Sequence, residues 1–204
     1  MKISKLKIKS SKVTLVGPCK LEKRTPQHEG FFIFIDGGQE HRMKNFKSTK
    51  DYICVGDQDS TRLPVDILLK QKKDFSDLAF ALTLVPKAAT QVYCEGLFPR
   101  LKDEPRFDHL LANLGEIYEF VKKRKIRVQL NSKMRIIPAG KNSLMLKGIF
   151  SVFSLEPIQL SLAGRVKYKL SNQKIPLMSS KTLSNFGSGQ VSFKNSKPCL
   201  VIVK

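Results

Sequence analysis

The sequence predicts a mainly β protein, an antiparallel β sandwich or barrel with one principal helix inserted near residues 106–123; an α+β fold is the alternative. Along most of the chain apolar residues alternate with polar ones, the period of a strand. Only residues 106–123 place apolar side chains at spacings of three and four, the period of a helix. A length of 204 residues suits one domain or two small ones, and we expect a single domain over residues 1–204.

Ten or eleven segments carry the strand pattern. The clearest are 5–9, 31–35, 52–55, 65–69, 91–94, 125–130, 134–137, 144–153, 158–162, 166–170 and 200–203. Asp36-Gly37-Gly38, after the run 31–35, predicts a hairpin turn. The apolar run 78–85 fits a buried strand or a short helix. Residues 185–190, rich in glycine, predict a flexible hairpin turn, with a phosphate-binding loop as the weaker interpretation.

The helix prediction has several independent supports. Acidic residues crowd the start of the segment and cations 122–125 close it, which suits the helix dipole. Gly115 is the one unfavourable residue and costs about 1 kcal/mol relative to alanine. The apolar stripe consists of Phe107, Leu110, Leu111, Leu114, Ile117, Tyr118 and Val121.

The four cysteines and the N-terminus predict a compartment. The N-terminal residues alternate instead of forming the apolar run of a secretory signal, and no run of 18 apolar residues occurs. The cysteines stand far apart, without the paired spacing of a zinc site. We therefore expect a cytoplasmic or nuclear protein, not secreted and without a transmembrane segment, whose thiols form no disulfide.

Charge is the most unusual property of the sequence. Lys and Arg number 37 against 17 Asp and Glu, a net charge of +20. Residues 120–204 hold 17 of the basic side chains and a single acidic one, Glu156. Solubility needs a net charge of only about 2–8, so this half predicts a surface that binds a polyanion.

From this charge we predict a non-enzymatic nucleic-acid-binding protein, with RNA or single-stranded nucleic acid favoured, that holds the phosphate backbone through a basic sheet face and a helix end. No cofactor, metal or small-molecule substrate is expected. The predicted binding residues are Lys122, Lys123, Arg124, Lys125, Arg127, Lys133, Arg135, Arg165, Lys167 and Lys169.

Other interpretations stay open beside this one. A structural protein resembling viral matrix proteins in type, docking on acidic membrane surfaces and assembling into oligomers there, has the same charge profile. Asp57 and Asp59 could bind a hard cation, although such a pair is more often a turn with local hydrogen bonds. Asp66 and Lys70 match part of a nuclease site, but a third carboxylate at the matching spacing is missing.

Overall fold

A computed structural model gives the fold of residues 10–21, 30–46, 51–98 and 107–204. These ranges are mostly β strand with a few helices. The predicted strand at 5–9 lies outside them. The elements are β1 Lys12–Val16, β2 Phe31–Ile35, α1 Gln39–Asn45, β3 Tyr52–Gly56, β4 Ile67–Leu68, α2 Asp77–Leu84, β5 Gln91–Glu95, α3 Phe107–Arg124, β6 Arg127–Gln129, β7 Met134–Ile137, β8 Gly140–Phe153, β9 Ile158–Val166, β10 Leu170–Ile175, β11 Asn185–Asn195 and β12 Cys199–Val203.

The chain divides into two compact units. The N-terminal unit comprises residues 1–116 and 130–132, and the C-terminal unit comprises residues 117–129 and 133–204. Whether these two units form a single domain is not decided by this division, and the single domain stays a prediction.

Parallel strands build the N-terminal unit, in the order β5-β1-β2-β3-β4. Leu15 of β1 lies in register with Ile33 on one side and Cys94 on the other. All three side chains are buried, as expected for strands covered on both faces. The predicted antiparallel arrangement is therefore wrong for this unit. Period two does not reveal the direction in which a neighbouring strand runs.

The Asp36-Gly37-Gly38 segment is not the predicted hairpin turn. It forms one turn of 3-10 helix that leads into α1, so the chain crosses over and β3 runs parallel to β2. A tight hairpin would need positive φ at its glycines, whereas Gly38 has φ −59°. This glycine instead permits close packing, because a Cβ there would lie 2.1 Å from the carbonyl oxygen of Val16.

Antiparallel strands build the C-terminal unit, in the order β10-β9-β11-β8-β12-β7-β6. Strand β8 pairs with β11 along its length and with β12 through its last residues. The buried side chains of β7–β12 form one apolar cluster around Phe150, Leu160 and Phe193. The glycine-rich segment 185–190 is not a turn: it is the first part of strand β11, whose side chains alternate between buried and exposed.

The predicted principal helix is confirmed as α3, Phe107–Arg124. Leu114, Ile117, Tyr118 and Val121 of its stripe are buried, whereas Phe107 and Leu111 near its start are exposed. The ambiguous run 78–85 is helical. Ser76 caps α2 by accepting a hydrogen bond from the Ala79 amide, which favours a helix over a strand there. No helix within the described ranges has both the length and the apolar character of a membrane span.

Candidate functional site

The carboxyl ends of the parallel strands bring several acidic side chains together. Asp36 follows β2 directly and Asp57 follows β3 directly, while Asp59 lies two residues further on. One oxygen from each of the three carboxylates lies within 4.8 Å of the others. Ligands of open α/β sheets bind at this edge, outside the carboxyl ends of the strands. The cluster is thus the candidate active site.

Backbone amides fix the orientation of the Asp36 carboxylate. Its Oδ1 accepts a hydrogen bond from the Gln58 amide at 3.2 Å, and its Oδ2 accepts one from the Ser60 amide at 3.1 Å. Asp36 is buried and has φ 45°, a left-handed backbone that non-glycine residues seldom adopt. A Cβ at Gly56 would come within 2.9 Å of Asp36, so only glycine leaves room for this side chain.

A lysine lies between two carboxylates at the same place. Lys73 Nζ is 2.5 Å from Asp57 Oδ2 and 2.9 Å from Asp77 Oδ1. The side chains of Lys73 and Asp57 are only 10% and 9% exposed. Burial alone would lower the pKa of the lysine, but hydrogen bonds to Asp57 and Asp77 outweigh it and the pKa is raised. Lys73 is therefore a fixed positive charge.

Asp77 adds a fourth carboxylate. It lies in the first turn of α2, where the helix dipole favours a negative charge. Burial raises the pKa of its carboxyl; the hydrogen bond from Lys73 opposes this shift, and the negative charges of Asp57 and Asp36 add to it. Lys73 thus pairs with two of the four carboxylates, and the excess of negative charge at the cluster is one that a cation would offset.

This donor set fits a hard divalent cation. Carboxylate oxygens are the ligands that Mg²⁺ and Ca²⁺ prefer, and each carboxylate keeps lone pairs beyond those used by the amides. Asp36, Asp57 and Asp59 are the residues that would hold it. The turn interpretation of Asp57 and Asp59 is also correct, since Asp57 Oδ1 accepts a hydrogen bond from the Asp59 amide at 3.2 Å.

A cleft of about 680 Å³ adjoins the acidic cluster. Asp59 and Ser60 form part of its wall, and Arg62 contributes an exposed cation. Met43, 51% exposed, adds an apolar surface. The cleft therefore offers carboxylates, a positive charge and an apolar surface within one volume of the size that binds small molecules.

The sequence-based interpretation found this site only in part. It singled out Asp57 and Asp59 as cation ligands but assigned Asp36 to a turn, and it did not consider Lys73 or Asp77. The missed signal is that Asp36 and Asp57 each follow a buried strand directly, which matters once those strands are parallel. Asp66, which the nuclease hypothesis singled out, has a structural role: its Oδ2 accepts a hydrogen bond from the Cys54 backbone amide at 2.8 Å.

The ten predicted binding residues lie in the C-terminal unit, at the end of α3, in the β6–β7 hairpin and around the connection from β9 to β10. Most are exposed, but Lys122 Nζ pairs with Glu156 Oε1 at 2.7 Å. Arg124, Arg127 and Arg135 are half-buried. Their assignment to an anion-binding surface stays a prediction.

Comparison with known proteins gives the fold a name. No protein-family model matches the chain, and no curated protein matches it. The thiamin pyrophosphokinase of Geobacillus thermodenitrificans has a similar structure, with a TM-score of 0.72 and 19% identity over 95% of this chain and 97% of that one. A thiamin pyrophosphokinase family protein of Enterococcus faecalis has a TM-score of 0.68 and 24% identity, over 95% of this chain and 99% of that one. The thiamin pyrophosphokinase of Candida albicans has a TM-score of 0.68 and 15% identity, over 93% of this chain and 88% of that one.

The chain thus has the fold of thiamine pyrophosphokinases, and this finding corrects the functional predictions. The prediction of a non-enzymatic nucleic-acid-binding protein is wrong, and so is the matrix-like alternative, because the matched structures are enzymes. The expectation of no small-molecule substrate is also wrong, since those enzymes are named for thiamine. Net charge reports on solubility and association, not on fold, and could not reveal this.

Proposed function

We propose that this chain is a pyrophosphokinase that transfers the terminal pyrophosphoryl group of ATP to the hydroxyl of thiamine. The observation that carries the proposal is the Asp36–Asp57–Asp59 cluster with Lys73, at the carboxyl ends of parallel strands in a chain with this fold. The reaction forms a bond from the alcohol oxygen to the β-phosphorus and breaks the bond from that phosphorus to the oxygen of the α-phosphate, which leaves with AMP. The proton of the hydroxyl group is released to solvent.

The residues present supply what such a transfer needs. Phosphoryl transfer depends mainly on positioning and on stabilising negative charge on phosphate oxygens. A divalent cation bound by Asp36, Asp57 and Asp59 would neutralise part of that charge. The ammonium of Lys73 is held rigidly by Asp57 and Asp77 and provides a further fixed positive charge at the cluster.

The adjoining cleft suits the nucleotide. Arg62 can bind a phosphate group in a bidentate manner, and Met43 offers an apolar surface to a base. Asp59 belongs both to the cleft wall and to the acidic cluster, which would bring the phosphates of a nucleotide in the cleft to the carboxylates.

For the C-terminal unit we retain the sandwich or barrel as a proposal. Its support is the single apolar cluster to which strands from β7 to β12 all contribute.

The experiment incubates the purified chain with ATP, thiamine and Mg²⁺ and separates the products by chromatography. We expect AMP and thiamine diphosphate in equal amounts, with AMP formation dependent on thiamine. Asp57→Asn should abolish both products. Asp51→Asn is the matched control, because Asp51 precedes β3 whereas Asp57 follows it. Absence of thiamine-dependent AMP formation by the unaltered chain would contradict the proposal.

A further inference from the structure

The C-terminal unit has a second cleft, of about 440 Å³, on the strands β8, β9 and β11. Lys141 of β8 and Lys194 of β11 lie directly opposite each other in the strand register, and both line the cleft. Like charges placed opposite each other across two strands are destabilising. An anion between the two ammonium groups would relieve this repulsion.

No carboxylate is among the described residues that line this cleft. The C-terminal unit has two acidic side chains, Glu119 and Glu156, and both form ion pairs with Lys122. Glu156 also pairs with Lys197 at 2.6 Å. Within the described part of the chain, neither Lys141 nor Lys194 has an ion-pair partner. The charge they present is therefore uncompensated.

Hydroxyl groups surround the two lysines. Ser143 lies opposite Ser192 in the register, and Ser161 lies opposite Lys194. The side-chain amide of Gln190 donates a hydrogen bond from Nε2 to Ser143 Oγ at 2.9 Å, which orients that hydroxyl. Serine hydroxyls and lysine ammonium groups are both donors to phosphate oxygens. The cleft thus offers several donors and no negative charge.

Arg127 adjoins the cleft and adds to its positive potential. Arg127 Nη2 donates to the carbonyl oxygen of Ser143 at 3.3 Å.

We propose that this cleft binds a phosphorylated small molecule, whose phosphoryl oxygens lie between Lys141 and Lys194 and accept hydrogen bonds from Ser143 and Ser192. The volume suits a small molecule. The site uses none of the residues of the acidic cluster, which belong to the N-terminal unit, so it is an additional ligand site.

The test is calorimetric titration of the full chain with pyrophosphate, without divalent cations. Lys141→Gln/Lys194→Gln should raise the Kd for pyrophosphate at least about tenfold, since two charge-assisted contacts are lost. Lys174→Gln/Lys181→Gln is the matched control, because it removes the same charge from exposed positions of the same unit outside the cleft, and its Kd should stay within about twofold. The proposal would be overturned if both double variants weakened pyrophosphate binding equally, or if neither weakened it.

A second measurement on the unaltered chain does not depend on the folding of any variant. Pyrophosphate should slow the acetylation of Lys141 and Lys194, followed by mass spectrometry, and leave Lys87 unaffected. Unchanged acetylation of both lysines at saturating pyrophosphate would refute the site. Inorganic phosphate should compete with pyrophosphate and citrate should not; equal competition by citrate would refute a phosphoryl ligand.

Discussion

Lys73 Nζ lies 2.5 Å from Asp57 Oδ2, and both side chains are about nine-tenths buried. The contact joins the loop that follows β3 to the residues just before α2. A buried ion pair is weak evidence for stability, because desolvation of both charges offsets their attraction. The position of this pair, beside the three further carboxylates of Asp36, Asp59 and Asp77, points to function instead.

Lys73→Gln tests that conclusion. The change keeps a hydrogen-bond donor but removes the charge, and we expect the rate of thiamine-dependent AMP formation to fall by about 10²–10³-fold, the effect of losing one charge-stabilising donor in other enzymes. Steady-state kinetics with ATP and thiamine give the measurement. Lys87→Gln, at an exposed position after α2, is the control and should retain full activity. Full activity of Lys73→Gln would exclude a role for this ammonium in the reaction.

Two glycines should respond to alanine in opposite ways. At Gly38 the new Cβ would lie 2.1 Å from the Val16 carbonyl oxygen, so the strand end must move, and we expect a loss of about 1–3 kcal/mol in the free energy of unfolding. At Gly115, within α3, a Cβ meets no atom within 4 Å, and alanine should stabilise the helix by about 0.5–1 kcal/mol. Urea unfolding measures both, and a stable Gly38→Ala protein would contradict the packing described around β1.

The sequence predicted the C-terminal unit better than the N-terminal one, for a physical reason. In antiparallel strands such as β11, with one face buried and one exposed, residues alternate visibly, and buried Val191 lies between exposed Gln190 and Ser192. The parallel strands are covered on both faces. Phe32, Ile33 and Phe34 are all buried, so the run shows a strand but not its direction. The site depends on that direction, because only parallel strands bring Asp36 and Asp57 to one edge.

Ion pairs between residues far apart in the chain could not be predicted from the sequence either. Glu156 was recognised as the single acidic residue after position 119, yet nothing local indicated that it would contact Lys122, 34 positions earlier, and Lys197, 41 positions later. Lys122 was accordingly counted among the polyanion-binding residues, although its charge is already paired.

Three of the four thiols should be unreactive in the native protein. Cys54, Cys94 and Cys199 are buried, and burial raises the pKa of all three, to about 11 for Cys54. Because the thiolate is the reacting form, we expect iodoacetamide at pH 8 to modify these residues at least about tenfold more slowly than after denaturation in urea. Mass spectrometry of tryptic peptides gives the rates, and without a reducing agent it also tests the prediction that no disulfide forms. Rapid native labelling of Cys94 or Cys199 would contradict their burial.

Glu156 should make the stability of the protein depend on pH. Hydrogen bonds from Lys122 and Lys197 hold the pKa of its carboxyl below the ordinary value of 4.5. A depressed pKa in the folded state stabilises the protein above the unfolded-state value, and this stabilisation is lost as the pH falls through the lower, folded-state value. Glu156→Gln should therefore be less stable than the unaltered chain at pH 7, and the difference should shrink below pH 4.5.

Urea unfolding of both proteins between pH 7 and pH 3 measures that difference. Glu40→Gln is the control, because the exposed ion pair of Glu40 with Lys44, at 3.4 Å, contributes at most about 0.5 kcal/mol to stability. Since every other carboxylate is shared by Glu156→Gln and the unaltered chain, their contributions to acid unfolding cancel in the comparison. A stability difference that stays constant from pH 7 to pH 3 would mean that Glu156 acts through packing, and that its contacts with Lys122 and Lys197 contribute nothing to folding.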